Sequence, residues 1–457
     1  MRKFSCVLFS TTLLLVTGLL YTGCTNDVGP GPIPGPSICI DTLLVPLTTE
    51  GPTGRVKKVP YVCDEIILDP ANKKIDGWRK FLLEHGFVKK ETCACGNKLE
   101  LWQHLPDSTF NVIGVVEDPP PEVDAITGED PTGASLNFIL AFDPPGLDTI
   151  VDPVQPVQIT NPCPGEAVKV AVVDTGVDTE GSPPGTIMAA FGWDKAIAGE
   201  RCPNPQDLGF NIPKPAEDPE DIHGHGTSVN GVVTGIPYYN DIMLNLPLKF
   251  LNIKVTDNAS GSGTLFRGLC GIYHAIGEGA RVINISWGYM GNSNNREIPM
   301  IARCLDAARA DSIIVVAGMG NAHEQLNGFS KFLPASLAEF HTNVISVGAQ
   351  REYGFGRASF SNWSTNPNEM TLLAPGVNIV TAYPKKLQSS PTGLARQSGT
   401  SMAAPFVTRT VAAIWSQDPD MPFDQVITAI KNTGYNAGGF LFLNHQAAVH
   451  QVCPGFP

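Results

Sequence analysis

Strand-like and helix-like patterns of hydrophobic positions alternate through the second half of the chain. Residues 168–173, Val-Lys-Val-Ala-Val-Val, form a nearly continuous apolar run of the kind found in strands that are buried on both faces. Four further apolar runs and two helical patterns follow it, at 250–255, 264–278, 282–286, 298–310, 313–317 and 344–347. This order predicts an α/β fold, a three-layer sandwich built around a mainly parallel sheet.

Hydrophobic patterns before this region are shorter and predict a separate domain. Three strands and one helix are expected there, at 64–68, 75–82, 99–101 and 111–116. We therefore expect a small N-terminal α+β domain over residues 57–118, a linker rich in proline and aspartate over 119–163, and the main domain over 164–457. The composition of the linker predicts an exposed segment that proteases can reach.

The first residues of the chain have the pattern of an export signal. A basic start, Met-Arg-Lys, precedes an apolar stretch over 4–21 that Ser10, Thr11 and Thr12 interrupt, which favours a signal peptide over 1–23 rather than a permanent membrane span. The ending Leu-Tyr-Thr-Gly before Cys24 resembles a bacterial lipoprotein signal. We expect a lipid anchor on Cys24 in the bacterial cell envelope and a tether rich in glycine and proline over 24–56. Ordinary secretion is the alternative.

Composition limits the partners of the chain. Its 457 residues carry a net charge of −13, which disfavours nucleic acid and anionic membrane surfaces as partners. The 11 cysteines are many for an intracellular protein, and an export signal makes disulfides feasible. Cys270 and Cys304 lie in helical apolar patterns and are expected to be small buried residues. The pairing of the other cysteines cannot be assigned from the sequence.

Three separated motifs carry the residue types of a nucleophilic site. Asp174 follows the run 168–173, which puts a carboxylate at the carboxyl end of a parallel strand. His225 lies in a glycine-rich stretch, His-Gly-His-Gly-Thr, that leads into a helix. Ser401 lies in Gly-Thr-Ser-Met-Ala-Ala-Pro, where a tight turn opens a helix at its positive end. A serine nucleophile needs a base and a group that orients this base, and the chain offers both.

These motifs, together with Val-Ala-Gly-Met-Gly-Asn, resemble those of the subtilisin family of serine peptidases, and the resemblance covers residues 165–450. It implies Ser401 as nucleophile, His225 as general base and then general acid, and Asp174 as the group that fixes the imidazole tautomer. It also implies that the side chain of Asn321 donates a hydrogen bond to the oxyanion, together with the backbone N–H of the serine.

The resemblance further implies where a substrate peptide binds. Two extended segments would pair with the peptide as an added strand, Gly261-Ser262-Gly263 and Ser286-Trp287-Gly288. Gly318 and Gly320 match positions whose missing side chains leave room for P1, the substrate residue before the cleaved bond. Trp287 is larger than the residue usual in the family, and its ring could either form a subsite wall or belong to the core.

Metal chemistry is not implied for the catalytic step. His223 and His225 form a His-x-His pair that can also bind metals, but the family motif uses only His225, so we expect His223 to be a bystander. The resemblance implies no cofactor for catalysis and allows structural calcium, although no ligand loop can be named. It also implies a cis peptide bond between Leu333 and Pro334.

A small domain before a subtilisin-like domain resembles an inhibitory propeptide, and a permanent accessory domain is the alternative. If Ser401 cut the linker, we would expect the catalytic domain to be separated from Cys24 and released, or held only by non-covalent contact. The expected activity is that of a secreted or surface-anchored endopeptidase acting on proteins or peptides. The alternatives are a processing peptidase dedicated to one partner precursor and a peptide-binding scaffold without catalysis, which would need a defect in the triad.

Overall fold

The structure is a computed structural model that describes most of the chain beyond residue 39. The described residues are 40–47, 56–93, 98–105, 110–117, 119, 123, 133–140, 142, 148–149, 158–159, 165–178, 210–215, 217–235, 243–244, 246–257, 261–294, 297–387 and 393–454. All of them belong to one structural unit, Cys39–Pro457. Cys24 and the predicted signal peptide lie outside these ranges. Within the ranges, no helix is long and apolar enough to cross a membrane.

An antiparallel sheet forms the centre of the N-terminal domain. Its elements in chain order are β1 (Ile40–Pro46), β2 (Val56–Leu68), α1 (Ile75–Glu84), β3 (Phe87–Thr92), β4 (Glu100–His104), α2 (Val112–Glu117) and β5 (Ala134–Leu140). The long strand β2 pairs with β1, β4 and β5, and β3 pairs with β4. Helix α1 packs its apolar face inward, because Trp78, Phe81 and Leu82 recur at helical spacing and are buried.

This sheet extends beyond residues 57–118, the range predicted for the domain. β1 comes from the predicted tether and β5 from the predicted linker, and β5 is buried along most of its length. The strand predicted at 111–116 is wrong, because these residues belong largely to helix α2. Val112 and Val116 lie one helical turn apart and are both buried. Periodicity alone cannot assign so short an apolar run to a helix or a strand.

The remaining elements form the main domain. In chain order they are β6 (Asp148–Thr149), β7 (Gln158–Ile159), β8 (Val168–Asp174), β9 (Phe210–Asn211), α3 (His225–Thr234), β10 (Met243–Leu244), β11 (Leu248–Lys254), β12 (Gly263–Thr264), α4 (Leu265–Gly277), β13 (Val282–Ile285), β14 (Tyr289–Asn292), α5 (Ile298–Ala310), β15 (Ile314–Gly318), β16 (Gln325–Leu326), β17 (Ser330–Leu333), β18 (Val344–Gln350), β19 (Trp363–Ser364), β20 (Leu372–Pro375), β21 (Ile379–Ala382), β22 (Leu394–Gln397), α6 (Thr400–Gln417), α7 (Phe423–Thr433), β23 (Tyr435–Ala437), β24 (Phe440–Phe442) and α8 (His445–His450).

Nine of the described strands form the main sheet, in the order β23-β24-β20-β18-β15-β13-β8-β11-β9. Neighbours are parallel except for the pair β23 and β24. Side chains of β8 alternate between the faces. Val170 and Val172 join the core beneath α3 and α6, whereas Ala171 and Val173 join the core beneath α4 and α5. Helices therefore cover both faces, and the predicted three-layer sandwich is confirmed.

The N-terminal domain packs on the side of α4 and α5, and its buried side chains are continuous with that core. A disulfide joins Cys93, which follows β3, to Cys270 in α4. The expectation that Cys270 is only a small buried residue is therefore wrong, because a partner 177 positions away leaves no local pattern in the sequence. Cys304 is buried and unbonded, as expected. Arg303 Nε of α5 donates a hydrogen bond to the fully buried carboxylate of Asp69 at 2.6 Å.

We expect the protein to lose stability in acid through His274 of α4. Burial lowers the pKa of this imidazole, which stacks on Phe210, from 6.5 to about 4. The unfolded chain takes up the proton first, so the stabilisation is complete above pH ~6.5 and is lost as the pH falls to about 4. The shift corresponds to about 3 kcal/mol.

Thermal unfolding between pH 7 and pH 4 tests this expectation. His274→Gln should flatten the fall of Tm with pH, whereas His450→Gln, at an exposed position, should leave it unchanged. Identical slopes for wild type and His274→Gln would refute the assignment.

Candidate active site

Asp174 and His225 meet at the carboxyl edge of the main sheet. Asp174 ends β8 and His225 begins α3. His225 Nδ1 lies 2.7 Å from Asp174 Oδ1, and both side chains are buried. The same oxygen accepts a hydrogen bond from the Thr175 N–H at 2.8 Å. This carboxylate can hold a proton on Nδ1 and so leave Nε2 as the basic nitrogen of the ring.

A buried carboxylate that the sequence analysis did not single out joins the two motifs. Asp221 accepts hydrogen bonds from Thr175 Oγ1 after β8 (2.9 Å) and from the N–H groups of Gly224 (2.7 Å) and Thr227 (2.8 Å) at the start of α3. It therefore fixes the turn after β8 against the first turn of α3. The available signal was an aspartate shortly before a predicted helix, where capping carboxylates are common.

Ser401 lies in the first turn of α6 and is bonded reciprocally to Ser286. The Ser401 hydroxyl donates to the Ser286 carbonyl at 3.1 Å, and the Ser286 hydroxyl donates to the Ser401 carbonyl at 3.0 Å. The second bond has a cause in the sequence. Pro405 has no backbone N–H, so it cannot donate a hydrogen bond to the Ser401 carbonyl, as the residue at this position of a regular helix does. Ser286 supplies the donor and ties the segment after β13 to α6.

Asn321 lies shortly after β15, and two hydrogen bonds tie its loop to α6. The Thr400 N–H donates to Asn321 Oδ1 at 2.9 Å, and the Gly320 N–H donates to Thr400 Oγ1 at 2.9 Å. The amide of Asn321 is thereby oriented with its oxygen toward the helix start. Asn362, which no sequence pattern marks, supports the same loop by donating to the Met319 carbonyl at 2.8 Å.

A cavity of about 550 Å³ opens beside Ser401 and collects most of the residues predicted to bind substrate. Those in its wall are Gly261, Ser262, Ser286, Trp287, Gly288, Gly318, Gly320 and Asn321. Gly263 is not part of the wall and pairs with Leu140 of β5. The N-terminal domain and the segment after it also supply part of the wall, with Lys57, Lys58, Val59, Pro60, Ile139, Leu140 and Phe142. The predicted substrate site is therefore shared between both domains.

Two large side chains support this cavity from the core. Trp287 is only 2% exposed, so its ring belongs to the core although it also contributes to the wall. Its indole N–H donates to the Val173 carbonyl at 2.8 Å, next to Asp174. Tyr289 is also buried and stacks on Phe138 of β5, with ring centroids 4.8 Å apart. The hydrogen bond from Trp287 stabilises the end of β8, and the stacking of Tyr289 on Phe138 stabilises the contact with the N-terminal domain.

His223 is buried, and its ring centroid lies 6.2 Å from that of His225. Within the described ranges, no three His, Cys, Asp or Glu side chains come together as a metal site. A bystander role for His223 stays a prediction, as does structural calcium. The Leu333–Pro334 peptide bond is cis, as the resemblance implied.

Comparison with known proteins identifies the family. Residues 165–448 match the model of the subtilase family, peptidase S8. The chain belongs to this family. This subtilase is 31% identical to Subtilisin DY of Bacillus licheniformis over 275 residues, which cover 60% of this chain and 86% of that protein. It is 30% identical to Subtilisin Savinase of Lederbergia lenta over 274 residues, with the same coverage of 60% and 86%.

The fold of this subtilase is also similar to a solved structure, that of a lanthipeptide protease. The TM-score is 0.50 at 22% identity, and the match covers 62% of this chain and 87% of the other. At this identity the similarity supports the fold alone. Family membership and the subtilisin relatives show that this subtilase is a serine-type endopeptidase, so its substrates are proteins or peptides.

We expect Ser286→Ala to lower the free energy of unfolding by about 1–3 kcal/mol, because it removes the donor that the buried Ser401 carbonyl uses. Pro405→Ala restores a backbone N–H at the helical position for the same carbonyl. The loss caused by Ser286→Ala should therefore be smaller in the Pro405→Ala background. Thermal unfolding of the wild type, both single variants and the double variant measures this coupling. Equal losses in both backgrounds would show that the two donors do not substitute for each other.

Proposed function

We propose that Ser401, His225 and Asp174 are the catalytic triad of this endopeptidase. The 2.7 Å hydrogen bond between His225 Nδ1 and Asp174 Oδ1 is the observation that supports the assignment best. Ser401 Oγ attacks the substrate carbonyl carbon and gives its proton to His225 Nε2, which passes it to the leaving amine. Water then cleaves the acyl ester by the same route. Every proton carrier in these steps is a side chain of this subtilase, so the chemical step needs no cofactor.

We assign the oxyanion site to two donors beside this serine. The backbone N–H of Ser401 lies at the positive end of α6, where negative charge is stabilised. The side chain of Asn321 is the second donor, and the hydrogen bond from Thr400 to its oxygen supports this role because it fixes the orientation of the amide. Donors that are held in place before the reaction need no reorganisation when charge develops on the substrate.

We expect Ser401→Ala to abolish peptide hydrolysis and labelling by a fluorophosphonate, since the variant lacks the attacking oxygen. Asn321→Ala should keep the labelling but lower kcat by about 10² to 10³, the size known for oxyanion asparagines in subtilisins. Fluorophosphonate attached to another serine would contradict the triad. A loss of less than tenfold in Asn321→Ala would assign the oxyanion to other donors.

We further propose that the N-terminal domain blocks the cleft until the linker is cut. Strand β5 pairs antiparallel with β12, with Leu140 opposite Gly263 and Ile139 opposite Thr264. An extended substrate would need this same strand edge. Beyond β5, the ring of Phe142 lies 5.7 Å from the His225 imidazole and lines the cavity beside Ser401. These contacts support an inhibitory role, because the substrate and the N-terminal domain would compete for the edge of β12 and the cavity beside Ser401.

A cut in the linker would not separate the two parts. Cys93 lies before the linker and Cys270 after it, and the disulfide between them survives backbone cleavage. The expectation that cutting leaves only non-covalent contact is therefore wrong. We propose that the cut enzyme is a two-chain protein that stays linked to its lipid anchor at Cys24. The disulfide also supports export, because such bonds persist in oxidising compartments. The anchor is supported by the sequence before Cys24 alone.

We expect the processed protein to run as one species on a non-reducing gel and as two fragments after reduction. Cys93→Ala removes this link and should release the N-terminal fragment after cutting, while Cys304→Ala, at a buried described cysteine that forms no disulfide, should retain it. Ser401→Ala should stay a single chain under both conditions if the cut is autocatalytic. Mass spectrometry after expression with the native signal identifies the ends. A fully active single chain from Cys24 onward would show a permanent accessory domain instead.

A peptidase dedicated to one precursor protein is the second candidate. The observation that favours it is the wall that the N-terminal domain adds to the cavity, including Lys57, Pro60 and Leu140, since such a wall restricts what can enter. Hydrolysis of a peptide library separates the candidates. Cleavage of many unrelated sequences supports a general endopeptidase, and cleavage of one narrow sequence class supports the dedicated enzyme.

A further inference from the structure

Phe332 occupies the space between the two glycine segments that flank Ser401. A Cβ atom on Gly288 would lie 2.4 Å from Phe332 Cε1, and one on Gly320 would lie 2.5 Å from Phe332 Cε2. Both positions also approach Cζ, at 2.8 Å and 2.7 Å. The outer edge of the ring therefore reaches both segments at once. Phe332, Gly288 and Gly320 all line the cavity that contains Ser401.

The backbone that carries this ring is firmly held. β17 pairs antiparallel with β14, with Met290 opposite Phe332, and the Phe332 N–H donates to Ser336 Oγ at 2.9 Å. The preceding residue, Lys331, is buried and forms an ion pair with the fully buried Glu369 at 3.1 Å. Separating the partners of a buried ion pair is energetically costly. Strand β17 therefore has little freedom to move away from the cavity. The ring itself is only 9% exposed.

The geometry points to Phe332 as a specificity-determining residue that limits the P1 side chain of the substrate to small residues such as glycine, alanine and serine. This inference rests on the proposed role of Ser401, because the attacked carbonyl belongs to P1. When that carbonyl lies between Ser401 and Asn321, the P1 side chain starts beside the segment from Gly318 to Gly320. The glycines leave the pocket open at its mouth, and the phenylalanine ring closes it a short distance below. A larger side chain would have to displace a packed ring.

Peptide anilides that differ only at P1, with alanine, leucine or phenylalanine, test this role. For the wild type we expect kcat/KM to be at least about tenfold higher with alanine than with phenylalanine. Phe332→Ala should raise kcat/KM for the phenylalanine substrate, relative to kcat/KM for the alanine substrate, by tenfold or more. Phe332→Leu, which retains apolar packing, should give a smaller change in the same direction. The matched control Phe340→Ala makes the same replacement at a side chain that is 69% exposed and should leave the ratio unchanged.

The ratio of the kcat/KM values for two substrates does not depend on the fraction of enzyme that is active. Residual inhibition by the N-terminal domain therefore does not affect this ratio. A wild type that prefers phenylalanine or leucine at P1, or an unchanged ratio in both Phe332 variants, overturns the inference. Fluorophosphonate labelling of Ser401 in every variant keeps this outcome apart from a failure of the proposed triad. If another serine is labelled, the triad is wrong and the P1 role falls with it.

Discussion

The register of three neighbouring parallel strands is the constraint on which the cleft depends. In β8, β13 and β15, Ile285 lies opposite both Val173 and Ala317. The next residues, Asp174, Ser286 and Gly318, therefore lie at one level along the carboxyl edge of the sheet. A slip of one position would turn every side chain to the other face and exchange the two cores, so burial on both faces enforces this alignment. The carboxyl edge becomes a place where polar groups from distant parts of the chain must meet.

Two helix starts complete this edge, and each depends on a polar side chain outside its own helix. Asp221 accepts hydrogen bonds from the N–H groups of Gly224, just before α3, and of Thr227 in its first turn, and the Ser286 hydroxyl donates to the Ser401 carbonyl in α6. Buried polar groups are costly without such partners. The same bonds therefore position the two helix starts that carry His225 and Ser401. Stability and preorganisation of the proposed triad have a common source.

Substrate recognition and its inhibition by the N-terminal domain would use the same physical interaction, the pairing of an added strand with β12. The edge proposed to bind an extended peptide is already paired with β5. An edge strand covered in this way cannot pair with other chains. The continuous core, the ion pair between Asp69 and Arg303, and the disulfide all hold the N-terminal domain against the main domain. A competing peptide must displace a short strand pairing rather than separate two domains.

The sequence by itself determined the main sheet, its helices and the residues proposed for catalysis, because apolar periodicity and short motifs are local signals. Asp174 and Ser401 could be named for this reason, and so could the segment around Asn321. Tertiary structure alone decided that residues 112–117 form a helix, that Cys270 has a partner in Cys93, and that Trp287 belongs to the core. It also decided that Phe332 fills the space the glycines leave. Such features depend on which surfaces meet after folding, and contacts between residues far apart in the chain leave no periodic pattern for a sequence to show.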